Sequence, residues 1–173
     1  LNDNGPSFTS ITTFSIEENQ TAIGTVTATD ADGDDVAFTV SGSELSITST
    51  GVLSFISAPD YETKTTYTAT VTASDGANSS AQDISINVIN INDNSPVITS
   101  SANFSSDENQ TAIGTVTATD ADGDGIVYSI SSSDITIDSS SGVIQFNAST
   151  DYETKNSYSA TVTASDGSFS SSQ

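Results

Sequence analysis

The chain of 173 residues is long enough for one large domain or two of ordinary size, and it carries 23 acidic side chains against 2 basic ones, a formal net charge of −21. Such a surface repels nucleic-acid phosphates and attracts divalent cations, which excludes nucleic acid as a partner, and no apolar run reaches the roughly 18 residues of a membrane span, which excludes direct membrane insertion. With no Cys and no His, disulfides, thiolate sites and imidazole ligands are excluded as well.

The chain opens on Asn2-Asp3-Asn4, an oxygen-rich stretch that suits the tail of a joint and not a signal peptide, so a piece of a longer array is expected. From there the apolar residues follow a period of two, the mark of half-buried strands, and this order outweighs the disorder that high charge invites. Strands are predicted at 14–16, at 25–29 where small apolar residues alternate with threonines, and at 36–40, 45–47, 52–55, 67–73 and 84–89. Asp32-Gly33-Asp34, Thr50-Gly51, Pro59-Asp60 and Asp75-Gly76 supply turns between them.

The segment 18–34, ENQTAIGTVTATDADGD, recurs letter for letter at 108–124, offset by 90 residues; DYETK and ATVTASDG recur offset by 91, so one residue is inserted in a loop between these blocks. A period this long suits small domains that each bury a core. The prediction is an all-β chain of two tandem seven-stranded Greek-key β-sandwiches of the immunoglobulin-like class. Expected boundaries are 1–4 for the tail of a preceding linker, 5–89 for repeat 1, 90–96 for a linker and 97–173 for repeat 2. The linker, Asn90-Ile91-Asn92-Asp93-Asn94-Ser95-Pro96, has no Gly and many side-chain oxygens, which suits a joint ordered by what it binds. Gln173 is the counterpart of Gln82, so repeat 2 lacks the last strand that 83–89 give repeat 1, and an apolar groove is expected open there.

Acidic motifs fall where strands end. Glu18, Asp60 and Glu62 of repeat 1 and Asp93 of the linker are expected to meet Asp120, Asp122 and Asp166 of repeat 2, and hard oxygen ligands in such numbers suit Ca2+. The Glu-Asn at Glu18, Asp-x-Asp at Asp120, Asp-x-Glu at Asp60, Asp-Gly at Asp166 and the linker together resemble the motifs of the cadherin repeat, over the whole chain. The resemblance implies cadherin-type sandwiches, an extracellular, cell-surface setting and about three Ca2+ per complete joint. By that resemblance Glu18, Asp60, Glu62 and Asp93 hold two ions with the Ile91 carbonyl and Asp122. Asn92, the Asn94 carbonyl, Asp120, Asp122 and Asp166 hold the third. Asn90 stands where the family has Asp, which weakens the middle ion. The matching N-terminal pole of repeat 1 comprises Asn2, Asn4, Asp30, Asp32 and Asp75, and the incomplete C-terminal pole of repeat 2 comprises Glu108, Asp151 and Glu153. With no Trp and no swapping N-terminal strand, the adhesive mechanism of the vertebrate members does not transfer, and the Ser- and Thr-rich repeats look more similar to the cadherin-like arrays of large bacterial surface adhesins.

Two other chemistries fit less well. The run from Asp120 to Gly125 matches the start of an EF-hand loop, but Ser131 occupies the twelfth position, where a bidentate Glu belongs. Paired carboxylates serve glycosidases, yet these acids are explained as a cation cage, and no enzyme is expected. Asp34 and Asp124 are expected to be solvated turn residues, and Tyr61 and Tyr152 to pack the sandwiches. The expected function is a spacer stiffened by Ca2+ in a surface adhesin or filament, its partners neighbouring repeats or subunits of the same protein. The alternative is that the repeats themselves mediate cell–cell adhesion or bind carbohydrate. Near-identity of the copies favours the spacer.

Overall fold

The computed structural model describes residues 2–173. The chain is all-β, with no helix among the described residues, and divides into two compact units after Ile91.

In chain order the first unit holds β1 (Ser7–Phe8), β2 (Thr13–Glu17), β3 (Ala22–Thr25), β4 (Ala28–Thr29), β5 (Ala37–Val40), β6 (Leu45–Ile47), β7 (Val52–Phe55), β8 (Thr66–Ser74) and β9 (Ser79–Ile89). One sheet has the order β2-β9-β8-β5, with β2 parallel to β9 and the other pairs antiparallel; the other has the order β3-β7-β6, and β1 pairs with β4. Alternation does the sorting. In β9, Ile84, Ile86 and Val88 face inward while Asp83, Asn87 and Ile89 are exposed. Phe14, Ile16, Phe38, Leu53, Phe55, Val71 and Ile86 close one core, and each such side chain contributes about 1.5–3 kcal/mol by leaving water.

The single strand expected over 25–29 is two strands. Val26 is fully buried and its N–H donates to Gly51 O at 2.9 Å, while Thr27 O accepts from Thr9 N at 2.8 Å. The chain thus leaves β3 for a different partner in β4, and the period-two pattern runs unbroken through the change. Gly51 makes the crossing feasible: its φ is +89° and a Cβ there would lie 2.1 Å from Val26 O. The short β1 also escapes the pattern, two residues being too few to show a period.

The second unit repeats this plan with β10 (Val97–Ile98), β11 (Ala112–Thr115), β12 (Ala118–Thr119), β13 (Val127–Ser131), β14 (Ile135–Ile137), β15 (Val143–Phe146), β16 (Thr161–Ser165) and β17 (Ser170–Ser172). Its sheets are β11-β15-β14 and β13-β16-β17, with β10 against β12. The inserted residue falls in the 138–141 turn, where Asp138 Oδ1 accepts from Ser140 N at 3.1 Å and Ser141 N at 2.8 Å.

Here the last strand is the three-residue β17, and residues 103–107, the counterpart of β2, form no strand. The cause is pairing: β2 bonds to β9 through 85–89, and among the described residues of the second unit no strand stands in that place beside 103–107. For the same reason β16 begins at Thr161, although its counterpart β8 begins four residues earlier in register. Phe104 is 37% exposed where its counterpart Phe14 is 7% exposed. A cavity of about 580 Å³ opens between 102–106 and 155–162. A groove is open where one was expected, but its lining is mixed: apolar side chains such as Phe104, Ile113 and Ile144 stand beside polar ones such as Ser105, Asn156 and Ser157. Tyr61 is half-buried, as a packing residue should be, but Tyr152 is 61% exposed and does not pack the sandwich as expected.

Candidate metal-binding poles

At the N-terminal pole of the first unit, the loop between β4 and β5 carries Asp30, Asp32 and Asp34. Asp32 Oδ2 accepts from Asp3 N at 3.0 Å and Asn4 N at 2.9 Å, and its Oδ1 accepts from Asn4 Nδ2 at 2.9 Å. Asp30 Oδ1 accepts from Asp32 N at 2.8 Å. In the turn after β8, Asp75 Oδ1 accepts from Ala77 N at 2.7 Å and Asn78 N at 2.6 Å. Asn78 Nδ2 in turn donates to Asn2 Oδ1 at 2.9 Å and to Asn4 O at 3.0 Å. These bonds hold the carboxyls of Asp32 and Asp75 below the usual carboxylate range, chiefly through the N–H groups of Asn4 and Asn78.

The second unit builds the same pole from its own residues. Asp122 Oδ2 accepts from Asp93 N at 3.0 Å and Asn94 N at 2.8 Å, and Oδ1 from Asn94 Nδ2 at 3.0 Å. Asp120 Oδ1 accepts from Asp122 N at 3.0 Å. Asp166 Oδ1 accepts from Ser168 N and Phe169 N, both at 2.6 Å, and Phe169 N is the main cause of its lowered pKa.

A common division of labour runs through both poles. In Asp30, Asp75, Asp120 and Asp166 one carboxylate oxygen is fastened by backbone N–H groups, while the other, Oδ2, is buried with no hydrogen-bond partner. Asn92 Oδ1 is left in the same condition. Buried oxygens without partners are costly, and an acceptor-only group asks for a donor or a cation. Asp30, Asp32 and Asp34 each offer an oxygen within 4.8 Å of the others, as do Asp120, Asp122 and Asp124. Asp34 and Asp124, expected to be solvated turn residues, are exposed and yet stand within this ligand spacing. Their place in the Asp-x-Asp-x-Asp run was the available signal.

The C-terminal poles differ between the units. Glu18 is only 1% exposed, its Oε2 accepting from Tyr61 N at 2.8 Å and its Oε1 from Ile91 N at 2.9 Å. The motif places Asn19 at φ 64°, a left-handed turn that Asn tolerates, and this turns the chain out of β2. Asp60 Oδ2 accepts from Thr63 Oγ1 at 2.9 Å, which is the main cause of its lowered pKa; Glu62 is exposed beside it in sequence. In the second unit Glu108 is exposed, and its Oε2 accepts from Tyr152 N at 3.2 Å. Glu108, Asp151 and Glu153 still offer oxygens within 4.8 Å of one another. Hard oxygens are the donor set throughout, which fits Ca2+.

Residues 100–173 match the cadherin domain family model, and residues 2–87 match the bacterial Ig domain model. Protocadherin-11 X-linked of Pongo pygmaeus is 36% identical over 189 residues, taking in 96% of this chain and 14% of that protein. Protocadherin Fat 4 of Homo sapiens is 39% identical over 129 residues, 67% of this chain and 3% of that protein, so the chain spans a small part of these relatives. Mouse cadherin-23 EC22–24 is similar with a TM-score of 0.81 at 26% identity, covering 98% of this chain and 65% of that one. The protocadherin gammaB7 EC3–6 cis-dimer structure gives 0.81 at 28% identity, covering 99% and 48%. On these likenesses and on the repeated poles, the chain belongs to the cadherin family, as two cadherin-type repeats in tandem.

Proposed function

We propose that this chain is an extracellular structural module whose repeats are stiffened by bound Ca2+, serving as spacers in a surface adhesin or filament. The observation that carries the reading is the set of buried, unpartnered oxygens on Asp30, Asp75, Asp120, Asp166 and Asn92, each on a side chain already fastened by its neighbours or its own backbone. In this reading Glu18, Asp60, Glu62 and Asp93, with Asn90 and the Ile91 carbonyl, hold ions shared with Asp122. Asn92, the Asn94 carbonyl, Asp120 and Asp166 hold the next. Asn2, Asn4, Asp30, Asp32 and Asp75 do the same for a preceding module, and Glu108, Asp151 and Glu153 for a following one. Bound Ca2+ supplies positive charge and fixed coordination; the chain's residues supply preset oxygens and exclude water from them.

The bacterial Ig domain match over 2–87 supports a bacterial surface setting. The near-identity of 18–34 and 108–124 supports a spacer, since copies share one job. The test is scattering and calorimetry on the whole chain. Ca2+ is expected to bind with Kd on the order of 10⁻⁴ to 10⁻³ M and to change the scattering profile relative to chelator. Asp120→Asn and Asp166→Asn are expected to weaken binding about tenfold or more. Superimposable profiles with and without Ca2+ would refute the stiffening mechanism.

A second reading, in which the repeats themselves adhere to copies of the same protein, draws on the cis-dimer recorded for protocadherin gammaB7. Sedimentation decides between them: the spacer reading expects a monomer at micromolar concentration in Ca2+. Carbohydrate binding by the repeats has no comparable observation behind it.

A further inference from the structure

Lys64 and Lys155 are the only two Lys or Arg residues of the chain, and they hold the same position in the two units. Lys64 Nζ donates to both carboxylate oxygens of Glu44 at 2.7 Å and lies 4.1 Å from the centre of the Tyr67 ring, which meets Phe55 edge to face at 4.7 Å. Lys155 Nζ donates to Asp134 Oδ2 at 2.6 Å and lies 4.3 Å from the centre of the Tyr158 ring, which stands 4.7 Å from that of Phe146. The acid is one methylene shorter in the second unit, and the clasp persists. Nor does it depend on a strand, since Tyr67 lies in β8 and Tyr158 lies outside any strand. Each acid is fixed by its own backbone, Glu44 O accepting from Ile56 N at 2.9 Å and Asp134 O from Asn147 N at 2.8 Å. Each lysine also closes an Asp-x-Glu turn: Lys64 N donates to Asp60 O and Lys155 N to Asp151 O, both at 2.9 Å. A cation two residues from a Ca2+ ligand opposes binding by its charge, so its presence in both copies asks for a geometric role.

We propose that Lys64 and Lys155 are positioning residues for the C-terminal poles: each fastens its Asp-x-Glu turn to the loop between β5 and β6, or between β13 and β14, and so presets the turn carboxylates for a cation. This deepens, and rests on, the reading of these poles as Ca2+ sites. A lysine suits the task because its stem covers the Tyr ring while its ammonium reaches the acid. An exposed ion pair holds little alone, but here the pair, the ring and the turn backbone all act on one side chain. On its other side the turn is tied by Tyr61 N to Glu18 and by Tyr152 N to Glu108. Without the clasp the turns keep their internal bonds, from Thr63 Oγ1 to Asp60 Oδ2 and from Thr154 Oγ1 to Asp151 Oδ2, both 2.9 Å. Those bonds shape the turn but do not fix its place on the sandwich, so Ca2+ would have to order it on binding.

The test titrates the whole chain with Ca2+ and follows backbone amide signals by NMR, Tyr61 and Thr63 for the C-terminal pole of the first unit, Ala77 and Asn78 for its N-terminal pole. Lys64→Met and Glu44→Gln are both expected to weaken binding at Tyr61 and Thr63 by about threefold or more, and to leave the response of Ala77 and Asn78 unchanged. Charge alone gives opposite signs, since losing a cation tightens Ca2+ binding and losing an acid weakens it. Tighter binding in Lys64→Met therefore overturns the proposal, and so do equal losses at both poles, which mark a unit loosened throughout. A second measurement, in chelator, needs no Ca2+ binding: trypsin must take a Lys or Arg side chain into its pocket, and this chain offers only Lys64 and Lys155. Asp134→Asn should speed cleavage after Lys155 about threefold and leave cleavage after Lys64 as it was. Unchanged cleavage after Lys155 overturns the clasp. A parent chain whose Tyr61 and Thr63 signals ignore Ca2+ overturns the Ca2+ reading, and the positioning role with it, while faster trypsin cleavage would still show the clasp.

Discussion

Gly51 and Gly142 hold the same place in the two units, each with a positive φ and each where an added Cβ would meet a backbone carbonyl at 2.1 Å. Gly33 also has a positive φ, +85°, but nothing within 4 Å. Gly33→Ala therefore carries only the backbone penalty of about 1–2 kcal/mol, whereas Gly51→Ala also drives apart the Val26 crossing and should cost more than about 2 kcal/mol in chemical denaturation. Equal losses would mean that the close approach contributes nothing. Asp138 gives a pH-dependent case away from the poles. Ser140 and Ser141 donate to it from both backbone and hydroxyl, Ser141 N most strongly, and hold its carboxyl far below its ordinary value of 3.8. A depressed folded pKa means that its contribution is present above about pH 3.8 and is lost as pH falls through the lower folded value. Asp138→Asn should thus lower the melting temperature of the second unit at pH 7, and the gap to the parent should begin to narrow below about pH 3.8 and close only as pH falls through the lower folded value. A gap constant with pH would show that charge is not what the turn uses.

Among the strands, what could be read from sequence and what could not has one physical cause. Strands whose inner faces are closed by the core, such as β5, β6 and β7, follow the period-two pattern and were legible within a residue or so. The break at Val26 was not, since changing partners leaves the alternation intact. The lack of a strand at 103–107 follows from pairing more than from local pattern: FSSDE at 104–108 resembles FSIEE at 14–18, with Ser106 for Ile16 and Asp107 for Glu17. The poles were legible as motifs, but the split between a fastened and an unpartnered oxygen needed the fold. This contrast is measurable by amide exchange in the parent chain. Residues 13–17 and 66–69, paired in β2 and β8, should exchange at least about 100-fold more slowly than 103–107 and 157–160. Comparable rates would mean that the second unit pairs those segments by another route.

At the scale of the whole chain, a net charge of −21 on 173 residues opposes compaction, and the opposition has two ranges. The diffuse part acts between distant acids, and 0.1 M monovalent salt, with a screening length of about 10 Å, removes most of it. The local part acts between carboxylates whose oxygens lie within 4.8 Å, as in the Asp30, Asp32, Asp34 and Asp120, Asp122, Asp124 groups, which salt at that concentration screens poorly. Only a cation seated among those oxygens removes it. At constant ionic strength, replacing NaCl by Ca2+ at about 100 times Kd should stabilise a unit by about 2.7 kcal/mol per filled site, a rise in melting temperature of roughly 10 °C or more. Mg2+ should do less, because it demands octahedral geometry and gives up water reluctantly. If NaCl alone at matched ionic strength reproduces the Ca2+ rise, the acids act as a diffuse cloud, and the fastening of Asp30, Asp75, Asp120 and Asp166 by backbone N–H groups serves only their turns.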